Sequence, residues 1–177
     1  DQLLPEHPLL LSTSPDLLVG MIESAPRGSH IRYHQQKLTL LYSAMRHYAT
    51  GLKKKKHHVL YHHLTDLPKD SDYTSVLAAW IQKHRIQEIH LLDPNEYDTY
   101  HSLPTLSKKL GIPVQRHPSP QFLVPRTEFQ SWAQGKKSLL MESHYRRLRT
   151  EKKILLDSNG KPEGGDWNLD DQNRRTF

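Results

Sequence analysis

Three clusters of polar residues stand where an open α/β sheet delivers ligand-contacting groups, each placed directly after a stretch that reads as a strand. Asp1 and Gln2 open the chain, Glu23 and Ser24 follow the apolar run at 16–22, and Asp93, Asn95, Glu96 and Tyr97 follow the run at 88–92. Carboxylates and amides in such places exchange hydrogen bonds with a flat heterocycle or its hydroxylated side chain. The same residue types also cap helices and form turns, and that reading stands beside the first. His34 joins the candidates because it sits at the first turn of a long helical segment, within reach of the same crevice.

The other histidines invite a metal reading and resist it. On a strand His58 and His62 share one face while His63 points the other way, so they make no compact set of three ligands, and His57 and His84 add none. No HExxH, GxGxxG, P-loop or GxSxG pattern occurs, which removes the usual parts for metalloprotease, hydride-transfer, phosphoryl-transfer and serine-hydrolase chemistry. Zero cysteines exclude a thiolate nucleophile, a disulfide framework and an iron–sulfur cluster within these residues. Trp80 and Trp132, at helical spacing with Ile81 and Phe129, read as core anchors rather than stacking platforms.

The elements that position these groups alternate. Strands are expected at 16–22, 58–64, 88–92 and 112–116, with a further extended piece at 122–125, and helices at 33–52, 73–84, 96–110, 127–133 and 138–152. Leu38, Leu41, Met45, Tyr48 and Leu52 recur at spacings of three and four, as one face of a helix requires. Pro104 should break or kink its helix, and Thr127 is the expected N-cap of the next. This rhythm implies βαβ crossovers and an α/β fold: a doubly wound, Rossmann-like, mostly parallel sheet of about five strands with helices on both faces. A domain of this kind opens with a strand, and that strand is expected ahead of Asp1.

The 177 residues suit one domain, taken as 1–156, followed by a Gly-rich polar linker at 157–177. No apolar run approaches the roughly 20 residues a membrane helix needs, and a soluble, cytoplasmic protein is expected. The net charge of +6 comes largely from Lys53 to Lys56 and from Arg146, Arg147, Arg149, Lys152 and Lys153. Such runs serve either an acidic partner, nucleic acid first among them, or simply solvated helix ends.

Four segments together resemble the deoxyribodipyrimidine photolyase-related proteins, the bacterial iron–sulfur branch of the photolyase/cryptochrome superfamily. They are Asp1-Gln2-Leu3; Gln36-Lys37 with Tyr42-Ser43-Ala44-Met45-Arg46-His47-Tyr48-Ala49; Phe129, Trp132, Leu139, Met141-Glu142, Tyr145-Arg146 and Arg149; and Gly164-Gly165, Trp167-Asn168, Asp170 and Asn173-Arg174. The resemblance implies an N-terminal antenna domain that holds a ribityl-lumazine chromophore, drawing on Asp1, Gln2 and Glu23. It also implies a C-terminal helical domain, absent from these residues, that binds FAD, a 4Fe-4S cluster and damaged DNA. On that reading the parent is a light-dependent DNA repair flavoprotein, a carbon–carbon lyase or its cryptochrome-like counterpart, and this part alone is not catalytic. The other reading is a stand-alone basic α/β module that binds nucleic acid or a protein partner.

Overall fold

The computed structural model of the chain describes residues 3–66 and 72–168. Strand β1 (Leu18–Ile22) and strand β2 (His58–His62) are parallel and in register from Leu18 opposite His58 to Ile22 opposite His62. A parallel pair needs a crossover, and helix α2 (Gln35–Lys54) supplies it after the one-turn helix α1 (Ala25–Ser29). Helix α2 buries Ala49 and Leu52, the second of them in the apolar stripe that spacing marked, while Lys53 and Lys54 occupy its last turn, where cations suit the helix dipole.

The same unit is built a second time. Helix α3 (Tyr73–His84) begins on Asp72, whose carboxylate accepts the Ser75 amide at 2.7 Å, and it ends at Arg85 in the left-handed region. Strands β3 (Ile89–Leu92) and β4 (Val114–His117) then pair in parallel around helix α4 (Tyr97–Leu110). Leu92 at the end of β3 is fully buried. Helix α4 runs through Pro104 instead of breaking there: the proline withholds one donor from the Tyr100 carbonyl, while Leu103 and Leu106, both buried, hold the turns on either side. Gly111, at φ 70°, ends it.

Among the described residues four strands form two two-stranded parallel sheets, β1–β2 and β3–β4, where one sheet of about five, counting a strand ahead of Asp1, was expected. Among the described residues no ladder joins β1 to β3. The extended piece at 122–125 makes no ladder, since Phe122 and Leu123 are exposed and Pro125 has no N–H to donate. The α/β alternation and the parallel pairing across βαβ crossovers are as expected, and among the described residues the two pairs are not joined into one sheet.

The chain divides into two compact units, Asp1–Leu123 and Val124–Phe177. The second contains α5 (Arg126–Ala133) and α6 (Met141–Lys152). Helix α5 starts one residue before the expected Thr127 cap, with Pro125 at the N-cap, and α6 starts at Met141 because Leu140 is still extended. Phe129 and Trp132 close on the buried ring of His144, at 5.2 and 4.4 Å between centroids. Residues 154–168, partly within the expected linker, return to α6: Leu156 bridges Pro162, and the buried Arg149 guanidinium donates to the carbonyls of Ile154, Leu155 and Trp167. Among the described residues no helix is long and apolar enough to cross a membrane.

Candidate functional site

The end of β1 and the segment that follows β3 meet at one crevice of the first unit, about 360 Å³ in volume. Ile22 and Ser24, at the end of β1, line one part of it, and Glu96, after β3, lines another. Helix α2 forms the long wall. Its Leu38, Leu41, Tyr42 and Met45 recur at helical spacing and face the space together, with Lys37 at the rim and Tyr33 just before the helix. The lining thus combines apolar side chains with a few polar groups, as small-molecule sites generally do.

The Tyr42 ring is held in place from two directions. Its hydroxyl donates to the Ser24 carbonyl at 3.4 Å, and it lies against Gly28 so closely that a Cβ there would sit 2.5 Å from the oxygen. Only a residue without a side chain leaves Tyr42 this position. Burial, and then the negative charge of Glu23, raise the Tyr42 hydroxyl above its ordinary pKa, so it remains a neutral donor.

Glu23 lies directly behind this wall, its side chain fully buried. Oε1 accepts from Arg46 Nε at 2.6 Å and from the Tyr61 hydroxyl at 2.6 Å; Oε2 accepts from Arg46 Nη2 at 2.7 Å and from the Leu64 amide at 3.0 Å. A carboxylate has about four lone-pair sites, and these four donors fill them. Burial alone would raise the Glu23 pKa, but the bonds from Arg46, Tyr61 and the Leu64 amide outweigh it and hold the group down at about 2. Tyr61, buried beside that charge, is shifted upward. Glu23 thus ties three segments together: the end of β1, helix α2 through Arg46, and the turn after β2, where the His63 amide donates to Asp66 at 2.8 Å.

The remaining sequence-derived candidates are placed as follows. Asp1 and Gln2 lie outside the described residues. His34 is the N-cap of α2, its Nδ1 accepting the Gln36 amide at 3.2 Å, and it does not line the crevice. Asp93 faces Arg116, with 3.7 Å from Oδ1 to Nε, and Arg116 in turn stacks over the Tyr100 ring at 4.4 Å. Glu96 accepts from the Thr99 hydroxyl at 2.5 Å within the first turn of α4. Tyr97 is exposed and packs on the His101 ring at 4.2 Å. The fold therefore brings Ser24 and Glu96 to one crevice with Glu23 directly behind it, and gives His34, Asp93 and Tyr97 other partners.

Tyr33, Lys37, Tyr42, Arg46 and Tyr61 were not singled out by position after a strand, because Lys37, Tyr42 and Arg46 lie on helix α2, Tyr33 just before it and Tyr61 within β2. A sequence signal for two of them was available: Tyr42 and Arg46 are four residues apart, so they share a face of α2, and both fall in the Tyr42-Ser43-Ala44-Met45-Arg46 segment.

Known proteins are similar to this chain in sequence. It is 30% identical over 177 residues to a protein of Agrobacterium fabrum described as a (6-4) photolyase, an alignment covering 99% of this chain and 34% of that protein. It is 25% identical over 152 residues to an uncharacterized protein of Acanthamoeba polyphaga mimivirus, covering 83% of this chain and 74% of that one. The chain thus spans about a third of the photolyase's length. The family model of the deoxyribodipyrimidine photo-lyase-related proteins matches residues 1–177, and with that match over every residue the chain belongs to this family.

Proposed function

We propose that this chain is the N-terminal antenna domain of a light-dependent DNA repair flavoprotein, binding a ribityl-lumazine-type chromophore and not catalytic by itself. The observation that carries the reading is the crevice at the ends of β1 and β3, in a chain that aligns to a photolyase along its whole length. A bicyclic heterocycle with a hydroxylated chain suits what lines it. Leu38, Leu41 and Met45 offer apolar surface, Tyr42 an aromatic ring, and Ser24 and Glu96 polar groups. Its volume falls within the range of about 300–1,000 Å³ typical of small-molecule sites.

When bound, such a chromophore absorbs light and passes excitation to a flavin. The chain's own residues orient it. Ser24 and Tyr42 are locked to each other, and the Glu23–Arg46 pair fixes β1 against α2, so the wall does not need to reorganise on binding. FAD, the 4Fe-4S cluster and contact with damaged DNA are assigned to a C-terminal domain outside these residues, consistent with the lack of cysteine here.

The absorption spectrum of the full-length protein tests this reading. Bands beyond those of flavin are expected, and their loss on Glu23→Ala with flavin retained supports the site. Because Glu23→Ala can also destabilise the fold, Leu41→Trp serves as a second variant: Leu41 is half exposed, and the larger ring fills the crevice from its edge. A full-length protein with flavin bands alone, or extra bands that both variants leave unchanged, sinks the assignment. Steeply salt-dependent DNA binding by the 177-residue chain without any chromophore supports the basic-module reading instead.

A further inference from the structure

Two aromatic rings line the crevice, those of Tyr33 and Tyr42. Their surroundings differ. The Tyr33 ring carries the Lys37 ammonium 4.4 Å from its centre and meets the His30 ring edge-on at 5.6 Å. The Tyr42 hydroxyl is bound to the Ser24 carbonyl, but among the described residues no ring or cation stacks on the Tyr42 face. Leu38 stands one turn before it on α2 and Met45 one turn after, and both line the same space, so apolar side chains bracket an aromatic one.

Gly28, another lining residue, leaves Tyr42 its position. It belongs to α1, whose helical backbone alanine adopts more readily than glycine. Space alone demands the glycine. A Cβ there would stand 2.5 Å from the Tyr42 oxygen, while its next neighbours, Leu38 Cδ2 and Tyr42 Cζ, lie at an ordinary 3.7 Å. The phenolic oxygen is the one atom in the way.

We propose that the heterocycle lies on the ring of Tyr42 and that Gly28 is a positioning residue, leaving that ring room to stand in the crevice. The inference deepens the antenna reading and rests on it. A flat heterocycle gains from an aromatic face by offset stacking, a contact that asks for a ring and not for a hydroxyl, and here the hydroxyl is committed to Ser24. Removing the ring is therefore expected to weaken binding about tenfold, and displacing it to weaken binding by a similar factor.

Fluorescence titration of the full-length protein, its flavin in place and any bound lumazine removed, with 6,7-dimethyl-8-ribityllumazine tests this, each variant being checked for its fold by circular dichroism. Tyr42→Phe, which keeps the ring, is expected to bind within about threefold of the wild type, and Tyr42→Leu about tenfold more weakly. Gly28→Ala should also lose about tenfold. Adding Tyr42→Phe to Gly28→Ala should then restore binding to the level of Tyr42→Phe alone, because the clashing oxygen is gone. Wild-type affinity in Tyr42→Leu or in Gly28→Ala overturns the proposal. So does a Gly28→Ala defect that Tyr42→Phe fails to repair, since the new methyl group then acts on the ligand or the fold and not through Tyr42. The antenna reading stands in each of these cases, whereas failure of the lumazine to bind the wild type overturns both.

Discussion

Arg46 grips Glu23 with two parallel hydrogen bonds, Nε to Oε1 at 2.6 Å and Nη2 to Oε2 at 2.7 Å, although the arginine side chain is half exposed and the carboxylate is fully buried. This is the fork geometry that distinguishes arginine from lysine, and it fastens helix α2 to the end of β1. A buried carboxylate whose partner is removed is left uncompensated. Arg46→Met is therefore expected to lower the midpoint of urea unfolding, and Arg46→Lys to recover only part of the loss. Equal stability of Arg46→Met and the wild type refutes the role.

The same pair sets an acid limit. In the folded chain Glu23 titrates at about 2, against an ordinary value of 4.5, so its contribution is fully present above pH 4.5 and disappears as pH falls toward 2. The shift corresponds to about 2–3 kcal/mol once the exposure of Arg46 is allowed for. Urea unfolding across that window should show a loss of stability that Glu23→Gln, already uncharged, lacks. Parallel pH profiles for the two proteins count against the assignment.

Two glycines separate packing from propensity. At Gly28 a new Cβ would meet the Tyr42 oxygen, so Gly28→Ala should displace the ring, break its bond to Ser24 and cost about 1–3 kcal/mol. Gly51, inside α2, has open space where a Cβ would stand, with nothing within 4 Å of it, so Gly51→Ala should stabilise by about 0.5–1 kcal/mol and raise the melting temperature by a few degrees. Thermal denaturation of both variants decides the matter; changes of the same sign contradict the distinction.

In the second unit Arg149 is only 2% exposed, and its guanidinium serves the carbonyls of Ile154, Leu155 and Trp167. Tyr145 and Trp167 lie beside it, at 5.4 and 5.1 Å from ring centre to guanidinium carbon. Arg149→Leu should leave those carbonyls without their donor, costing about 2–4 kcal/mol, and should open residues 154–168 to limited proteolysis while the first unit stays resistant. Unchanged cleavage in that stretch would show that the carbonyls find other donors.

The cap of α3 gives a smaller, local effect. The Asp72 carboxylate accepts both the amide and the hydroxyl of Ser75 at 2.7 Å, and these bonds hold its pKa below the ordinary value. Asp72→Ala is expected to cost about 1 kcal/mol in denaturant unfolding, and Asp72→Asn to retain most of the cap. Loss of equal size in both variants points to charge rather than hydrogen bonding.

Local rules were legible in the residues themselves. The apolar stripe of α2, the Gly111 stop after α4, and the short apolar runs that became β1 and β3 follow from spacing, because side-chain periodicity is a property of the chain alone. So was the family, through segments such as Tyr42 to Arg46 whose order survives translation into space. Pairing was not legible. Whether β1 and β3 share a ladder depends on hydrogen bonds between residues about seventy positions apart, and the structure puts them in separate sheets.

The site divides along the same line. Sequence by itself determined that Glu23, Ser24 and Glu96 would stand at strand ends, since a carboxylate after an apolar run lands there in any parallel α/β unit. Tertiary structure alone decided what each does. It turned the Glu23 carboxylate inward onto Arg46, Tyr61 and the Leu64 amide, and it made the Lys37 to Met45 face of α2 into the crevice wall. Donors drawn from a helix, a strand and a loop can meet one buried charge only after the chain has folded around it, and a residue's position along the chain carries no record of that meeting.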